Sequence, residues 1–417
     1  MDKFIIEGSK KLSGTVKISG SKNASLPIMS AALLTKESVA LKNIPDLKDI
    51  STMINLLKHL GCEVKKEDDV VTINCSNINS PEAPYELVKT MRASILVLGP
   101  LLARLNIAKV SMPGGCAIGV RPVNLHLKAF ESMDASISID EGYIVAKTDR
   151  LKGSDIYFDI PTVTGTENVV MAAALANGKT VIKNAAKEPE IVDLAKMLNK
   201  MGAKIEGAGT STITIEGVDK LKGVEYTVMN DRIEAGTFMC AALITSSFIK
   251  MVNTPVYAMD AIFDKFKEMG GVVDVENDSS VIVGGEIIKP VNIKTSVYPG
   301  FPTDMQAQFI SVLTLADGVS IVKETIFENR FQHVAELNRM NADIVVSNNQ
   351  AVINGVKQLK GARVMATDLR ASASLVVAAL AAAGSTEILR IYHLDRGYER
   401  LEQKLSSLGA NIRREKA

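Results

Sequence analysis

The chain has 417 residues, a formal net charge of +1 and a hydrophobic content of 47%. This length exceeds what one ordinary hydrophobic core accommodates, so two domains are expected. The hydrophobic content excludes a disordered chain, and the balanced charge does not indicate a nucleic-acid or anionic-membrane partner. The N-terminus lacks a signal-type apolar core, and no apolar stretch is long enough to span a bilayer. We therefore predict a cytoplasmic protein that binds neither nucleic acid nor membrane.

The four cysteines, Cys62, Cys75, Cys116 and Cys240, are well separated in the sequence. Their spacing is poor for a zinc site and poor for a disulfide framework, which favours a reduced compartment. The sequence contains no metal-ligand cluster, no Walker A motif and no dinucleotide-binding glycine motif after a plausible strand. We therefore expect neither a metal nor a cofactor.

The first sixteen residues contain a short motif that returns later in the chain. Residues 6–16 fit a strand, a turn and a second strand, and residues 215–225 and 353–363 have the same pattern. The N-terminus thus resembles the end of a repeat, and the last repeat, which ends near Arg413, lacks this piece. We predict that the N-terminal strands complete the C-terminal half of the chain.

Six segments then follow one plan, in which a polar head opens an Ala-rich helix and a second, amphipathic helix precedes a strand pair. The heads are spaced by 70, 74, 65, 73 and 64 residues, and they are Lys22, Arg92, Thr166, Asp231, Asp304 and Asp368. Solenoid repeats are typically shorter, about 20–50 residues, so compact domains are favoured over a solenoid. The predicted domains are residues 22–229, and residues 1–21 joined with 230–417. A cleft between two domains is a favoured ligand site.

Several helix heads carry charges that suggest function. Lys22 and Arg370 are cations where a helix N-terminus is already electropositive, which indicates a neutralising phosphate or carboxylate. For Lys22, a solvated side chain is the alternative. Asp231, Asp304 and Asp368 fit either as N-caps or as functional carboxylates, and Asp304 could act as a general base.

One thiol lies in a glycine-rich loop at residues 113–122. Cys116 is followed five residues later by Arg121, and His126 is a further candidate neighbour. Glycines allow a ligand to approach closely, and a guanidinium favours the thiolate. The loop predicts a reactive thiol beside an anionic ligand, and an incidental cysteine in a surface loop is the alternative. Arg330 and Arg396 lie in corresponding loops of later repeats, and their forked guanidinium suits phosphate and carboxylate.

Taken together, these residues resemble the enolpyruvyl transferase family, and within it the UDP-N-acetylglucosamine 1-carboxyvinyltransferases. The resemblance covers essentially the whole chain, and its motifs lie at residues 19–24, 89–94, 113–122, 184–190, 301–308, 327–331, 366–372 and 395–400. It implies an α/β fold of two inside-out barrel domains, built from six βαβαββ repeats with three in each domain. The sister enzymes that act on shikimate phosphate share this fold but lack the cysteine loop.

The resemblance implies transfer of the enolpyruvyl group of phosphoenolpyruvate to the 3′-hydroxyl of UDP-N-acetylglucosamine, with release of phosphate. Addition would give a tetrahedral intermediate, and elimination would follow. This reaction is the first committed step of peptidoglycan precursor synthesis, and a monomer without a cofactor is expected to perform it. The alternatives are a 3-phosphoshikimate 1-carboxyvinyltransferase and a non-catalytic paralogue that binds nucleotide sugars.

The resemblance also assigns roles to positions. Cys116 would protonate the methylene carbon, Asp304 would be the base on the sugar hydroxyl, and Lys22, Arg121 and Arg396 would hold phosphate and carboxylate. The other expected substrate-binding residues are Asn23, Arg92, Pro122, Val123, Asn124, Leu125, Ile160, Pro161, Thr162, Val163, Asp231, Thr303, Ile326, Glu328, Arg330, Asp368 and Arg370. Asn124, Thr162 and Val120 depart from the residues common in the family. The epoxide antibiotic fosfomycin is expected to modify Cys116.

Overall fold

The computed structural model describes residues 2–8, 10–113 and 123–416. These residues form two compact units, one with residues 2–19 and 230–416 and one with residues 20–113 and 123–229. The chain begins with two strands of the first unit, β1 (Asp2–Glu7) and β2 (Thr15–Lys17).

The unit of residues 20–229 contains alternating helices and strands. Its helices are α1 (Lys22–Ala31), α2 (Lys48–His59), α3 (Tyr85–Val88), α4 (Leu98–Leu105), α5 (Asn124–Ser132), α6 (Val163–Ala173) and α7 (Pro189–Lys200), with 3₁₀ segments at Ala32–Leu34 and Arg92–Val97. Its strands are β3 (Ser38–Lys42), β4 (Glu63–Glu67), β5 (Val70–Asn74), β6 (Glu82–Ala83), β7 (Ile107–Ser111), β8 (Ser136–Asp140), β9 (Tyr143–Lys147), β10 (Asp155–Tyr157), β11 (Lys179–Lys183), β12 (Lys204–Glu206), β13 (Thr212–Glu216) and β14 (Val224–Thr227).

The other unit continues from residue 230 with the same alternation. Its helices are α8 (Arg232–Ile244), α9 (Asp260–Glu268), α10 (Gln306–Leu313), α11 (Val334–Arg339), α12 (Leu369–Ala381) and α13 (Leu401–Ser407), with 3₁₀ segments at Val256–Ala258, Thr303–Met305 and Ile391–Arg396. Its further strands are β15 (Phe248–Val252), β16 (Val272–Asn277), β17 (Ser280–Gly284), β18 (Ile293–Lys294), β19 (Val319–Lys323), β20 (Asp343–Ser347), β21 (Gln350–Asn354), β22 (Arg363–Met365), β23 (Ser385–Leu389) and β24 (Asn411–Lys416).

The strands of the described residues form six four-stranded sheets, three in each unit. The sheets of the unit of residues 20–229 have the orders β14-β3-β5-β4, β6-β7-β9-β8 and β10-β11-β13-β12. Those of the other unit have the orders β16-β17-β15-β2, β18-β19-β21-β20 and β22-β23-β1-β24. Six equivalent sheets confirm the predicted α/β fold of six repeats.

In each unit three helices lie at the centre, with the sheets packed around them. α8, α10 and α12 contact one another, and every residue of α8 is buried. In the unit of residues 20–229, α1 and α6 are in contact, and α4 packs on α6. At Gly99 of α4 the approach to α6 is close, because a Cβ there would lie 2.5 Å from the carbonyl oxygen of Asn168. The second helices of the repeats, such as α2 and α7, bury only one face. This is the inside-out arrangement that the resemblance implied.

The repeated N-terminal motif does not form a hairpin. β1 pairs with β23 and β24, whereas β2 pairs with β15 in a different sheet. The glycine that the three motifs share is needed for close packing. A Cβ at Gly8, Gly217 or Gly355 would lie 2.1, 1.8 or 1.7 Å from a carbonyl oxygen one to three residues past the end of a central helix. The intervening residues therefore lead from one sheet to the next.

The helix start predicted at Thr166 is wrong by about one helical turn, because α6 begins at Val163. α6 is capped by Thr162, whose backbone is extended and whose hydroxyl accepts a hydrogen bond from the Gly165 N–H at 3.3 Å. Thr166 lies inside the helix, is buried, and accepts a hydrogen bond from the Ala186 N–H at 3.1 Å. Two threonines four residues apart were indistinguishable as caps in the sequence.

The prediction that the cysteines do not pair is also wrong. Cys62 and Cys75 form a disulfide, with their Cα atoms 4.3 Å apart. Cys62 directly precedes β4 and Cys75 directly follows β5, and the pairing of Glu63 with Asn74 brings the two ends of this hairpin together. The sequence separation of 13 residues hides this proximity. Among the described residues, no helix has the length and apolar character needed to cross a membrane.

Candidate active site

Asp304 lies between two buried arginines. Its Oδ1 accepts a hydrogen bond from Nη2 of Arg330, and its Oδ2 accepts one from Nη2 of Arg370, both at 2.8 Å. The arginine side chains are 4% exposed, whereas that of Asp304 is 26% exposed. A carboxylate has about four lone-pair sites, so Asp304 can also accept a hydrogen bond from water or a ligand.

Arg370 explains why a cation can occupy the first turn of a helix. α12 is capped by Asp368, whose Oδ1 accepts hydrogen bonds from the N–H groups of Arg370 and Ala371. Burial is the largest effect on the Arg370 guanidinium and lowers its pKa, but the charge and hydrogen bond of Asp304, together with nearby Tyr398 and Asp231, outweigh burial and the pKa lies above its usual value. Asp304 is therefore the neutralising anion, and Asp368 serves as a cap in this arrangement. Asp231 likewise caps α8 through the N–H groups of Ile233 and Glu234.

A buried glutamate that the sequence analysis missed holds the segment around Asp304. Glu324 is 1% exposed and accepts hydrogen bonds from the hydroxyls of Thr295 and Thr303 at 2.8 and 2.9 Å. It also accepts the N–H of Ile326 at 2.8 Å. Two predicted residues, Thr303 and Ile326, are thus fixed by one carboxylate, while Glu328 is exposed.

The segment that contains Arg396 packs against the start of α12. A Cβ at Gly397 would lie 2.7 Å from Cδ2 of Leu369, so this contact requires glycine. The neighbouring Asp395 accepts two hydrogen bonds from Arg414, at 2.6 and 3.1 Å. Arg414 in the C-terminal strand β24 therefore anchors the segment that contains Arg396. The Arg396 residue is partly exposed.

In the unit of residues 20–229, Lys22 opens α1 beside a buried carboxylate. Its Nζ is 3.6 Å from Oδ2 of Asp49, which lies in the first turn of α2. Both side chains are largely buried, with 13% and 5% exposure. Asp49 was not singled out in the sequence, and it offsets part of the charge of Lys22 at the helix terminus. Asn23 follows Lys22 in α1, and Arg92 opens the 3₁₀ segment Arg92–Val97.

His126 connects the two segments expected at the nucleotide sugar. Asn168 donates from Nδ2 to His126 Nδ1 at 3.1 Å, so the ring proton is assigned to Nε2, which donates to the Thr164 hydroxyl at 3.3 Å. This contact joins the start of α5, which includes Asn124 and Leu125, to the start of α6. Residues 160–163 precede that helix, and Ile160 is 61% exposed. Val123 is buried directly before α5.

Acidification is expected to weaken the fold through His126. Burial, together with the charge of Arg92, lowers the pKa of His126 to about 4, below its ordinary value of 6.5. Between these values the unfolded chain binds a proton that the native chain does not, so stability is lost as the pH falls. At about 1.4 kcal/mol per pKa unit, the pKa difference between the unfolded and the native chain corresponds to about 3 kcal/mol in the free energy of unfolding.

The measurement is urea unfolding of the wild type and of His126→Gln at several pH values. The difference in the free energy of unfolding between the wild type and His126→Gln should be smaller at pH 4.5 than at pH 6.5, by about 2 to 3 kcal/mol. His59→Gln is the matched control, because it replaces an exposed histidine of the same unit. Parallel curves for the wild type and His126→Gln would contradict the account.

Three predicted site residues, Cys116, Arg121 and Pro122, lie outside the described residues. For the other candidates, the structure brings Asp304, Arg330 and Arg370 into direct contact, and Thr303 and Ile326 share Glu324. Lys22, Asn23, Arg92, Val123, Asn124, Leu125 and residues 160–163 lie in the other unit.

A family model described as EPSP synthase (3-phosphoshikimate 1-carboxyvinyltransferase) matches residues 6–405. The chain belongs to this EPSP synthase family. Among similar family members, the UDP-N-acetylglucosamine 1-carboxyvinyltransferase of Desulfosudis oleivorans is 54% identical over 99% of both chains. The proteins of the same name from Nitratidesulfovibrio vulgaris and Geotalea uraniireducens are 55% and 56% identical, over 100% and 99% of this chain and 100% and 99% of their own lengths.

Two solved structures have a similar fold. The enolpyruvyl transferase NikO from Streptomyces tendae is similar with a TM-score of 0.90 and 25% identity, covering 100% of this chain and 99% of that one. An EPSP synthase from Acinetobacter baumannii gives a TM-score of 0.79 at 17% identity, covering 100% of both chains. The first similarity is strong despite low identity, and the second shows a shared fold alone.

In this chain, we expect an alkylating reagent to modify Cys116 and none of the other three cysteines. Cys62 and Cys75 form a disulfide, and burial raises the pKa of the Cys240 thiol well above its usual value. A thiolate is the reactive form, so the native chain should take up about one equivalent of iodoacetamide. Mass spectrometry of peptides would locate the label, and Cys116→Ala should remove it. Rapid labelling of Cys240 would contradict this expectation.

Proposed function

We propose that the chain transfers the enolpyruvyl group of phosphoenolpyruvate to the 3′-hydroxyl of UDP-N-acetylglucosamine and releases phosphate. The observation that carries this proposal is the 53–56% identity, over essentially the full length, to six relatives of one name. The family model is described by the shikimate reaction, but the EPSP synthase structures are only 17–18% identical. The reaction is the first committed step of peptidoglycan precursor synthesis.

In the first half-reaction, the sugar oxygen forms a bond to C2 of phosphoenolpyruvate. Asp304 accepts the hydroxyl proton, and Cys116 delivers a proton to C3, which becomes a methyl group. The Asp304 carboxylate is accessible and held between Arg330 and Arg370, which orient it and stabilise its charge. The product of this step is a tetrahedral phospholactoyl adduct.

In the second half-reaction, the bond from C2 to the phosphate oxygen breaks. A proton leaves C3, so the double bond is restored and an enol ether is formed. Lys22, Arg121 and Arg396 hold the phosphate and carboxylate, whose negative charges require several cations in a closed site. The largely buried Lys22 is supported in this role by Asp49, which fixes its position.

The nucleotide sugar is proposed to bind Asn23 and residues 121–125 and 160–163, with Arg92, Asp231, Glu328 and Asp368 nearby. The contact between His126 and Thr164 supports this assignment, because it holds the starts of α5 and α6 together. The exposed apolar side chains of Ile160 and Val163 are available to a ligand. Thr303 and Ile326 are the expected contacts on the segment held by Glu324.

The two compact units are proposed to be the domains 22–229 and 1–21 with 230–417. Hydrogen exchange under mild denaturant should then separate the amides of these two sets into two cooperative groups. We propose a cytoplasmic location, because phosphoenolpyruvate and nucleotide sugars are cytoplasmic metabolites. The Cys62–Cys75 disulfide removes the cysteine spacing as a reason for a reduced compartment, so this proposal rests on the substrates alone. The chain is proposed to be a monomer, and light scattering should give the mass of one chain, 44.8 kDa.

The test is phosphate release by the purified chain with phosphoenolpyruvate and one acceptor at a time. Release that requires UDP-N-acetylglucosamine supports the proposal. Release with shikimate 3-phosphate alone would assign the chain to the sister reaction. Binding of the nucleotide sugar without any phosphate release would indicate a non-catalytic paralogue.

A further inference from the structure

The hydroxyl of Tyr398 lies where the three central helices of one unit meet. It is 2.9 Å from Oγ1 of Thr237 on α8, 3.1 Å from Nε2 of Gln308 on α10 and 3.3 Å from Nη1 of Arg370 on α12. All four side chains are at most 3% exposed. A buried phenol with three polar neighbours must distribute one proton and two lone pairs among them, and the neighbours decide how.

Counting protons assigns the direction of each hydrogen bond. The single proton of the Thr237 hydroxyl is donated to the carbonyl oxygen of Ile233 at 2.8 Å. Tyr398 must therefore donate its own proton to Thr237. Gln308 and Arg370 can only donate through these nitrogens, so both lone pairs of the phenol oxygen accept from them. The phenol is thereby fully hydrogen-bonded.

Arg370 is held on two sides by this arrangement. Its Nη1 donates to Tyr398, its Nη2 donates to Asp304 at 2.8 Å, and its guanidinium lies 5.6 Å from the centre of the Tyr398 ring. Burial raises the pKa of Tyr398 above its usual value, although the charge of Arg370 acts in the opposite direction. The phenol therefore stays neutral and serves as an acceptor without competing with Asp304 for the charge of Arg370.

We propose that Tyr398 is a positioning residue that orients the Arg370 guanidinium toward Asp304. The inference rests on the proposed function, in which Asp304 accepts the sugar hydroxyl proton. Without the phenol oxygen, the guanidinium loses one of its two fixed contacts and can rotate about its side chain. The Asp304 carboxylate then loses an aligned donor and is protonated more easily.

The test compares Tyr398→Phe with Tyr226→Phe in the full chain. Tyr226 is a matched control, because it is 6% exposed and its hydroxyl donates to Asp193 at 2.6 Å, in the other unit. For Tyr398→Phe, kcat should fall by about 10- to 100-fold, as expected for loss of a buried hydrogen bond to a charged group. The acid limb of the kcat profile should move to higher pH by about 0.5 to 1 unit. Tyr226→Phe should retain both wild-type kcat and its profile.

A purely structural role for Tyr398 would lower thermal stability but leave the acid limb in place. Wild-type kcat and an unmoved acid limb in a folded Tyr398→Phe variant would overturn the proposal. If that variant does not fold, Thr237→Val is the second test, since the phenol proton then loses its acceptor and must turn toward the side on which the phenol oxygen accepts from Gln308 and Arg370. An unmoved acid limb in folded Thr237→Val would again overturn the proposal. Absence of turnover in the wild type would instead overturn the proposed function.

Discussion

Replacement of Asp304 by Asn is expected to lower kcat by about 10³-fold or more, because the amide cannot accept the hydroxyl proton. The amide also leaves Arg330 and Arg370, both 4% exposed, without their shared negative charge. Asn has nearly the volume of Asp, so packing is preserved. Steady-state phosphate release at saturating substrates measures the effect.

The stability cost of the same change must be separated from the catalytic loss. Removing one partner of a buried ion pair costs about 3–5 kcal/mol, and the accessibility of Asp304 places it at or below the lower end. Thermal unfolding of Asp304→Asn should therefore still be cooperative at assay temperature. Asp219→Asn is the control, because Asp219 is 93% exposed and pairs with Arg150 at the surface. Near-wild-type kcat for folded Asp304→Asn would contradict its role as base.

Replacement of Cys116 by Ala is expected to remove most turnover while leaving nucleotide-sugar binding intact. The thiol is the proposed acid for C3, and removal of a general acid costs about 10²- to 10⁴-fold in rate. Because nucleotide-sugar binding is assigned to other residues, the dissociation constant of UDP-N-acetylglucosamine, measured by calorimetry, should change little.

Cys240→Ala is the matched control for this thiol. Cys240 is fully buried in the core, so its replacement should affect stability and not the chemical step. Loss of nucleotide-sugar binding in Cys116→Ala would mean that the loop has a structural role. Wild-type turnover in that variant would exclude the thiol as the proton donor.

The helix heads were predictable because caps and charges are local features. Asp231 and Asp368 do cap α8 and α12, and Lys22 does open α1. The misplacement of Thr166 has a local cause, since two threonines one turn apart both fit the cap pattern. The six-repeat fold was predictable because the repeat spacing extends over the whole chain.

The contacts of Asp304 could not be read from the sequence. Its arginine partners lie 26 and 66 residues away. The packing of α10 on α12 brings Arg370 close, whereas Arg330 reaches Asp304 from the segment between β19 and α11. The cap interpretation of Asp304 was reasonable locally, but its side chain forms ion pairs instead. Cys62 and Cys75 were missed because no sequence motif marks them, and the β4–β5 hairpin brings them together. Tyr398 carried no signal beyond its place in the motif at residues 395–400.

The most direct test of the account is the mass of the product that forms in deuterium oxide from phosphoenolpyruvate, with UDP-N-acetylglucosamine and shikimate 3-phosphate both present as acceptors. We predict enolpyruvyl-UDP-N-acetylglucosamine that carries deuterium on its methylene carbon. Protonation of C3 by exchanged solvent protons, followed by loss of one hydrogen from the methyl group, introduces this label. A product formed on shikimate 3-phosphate, or an unlabelled product, would contradict the account.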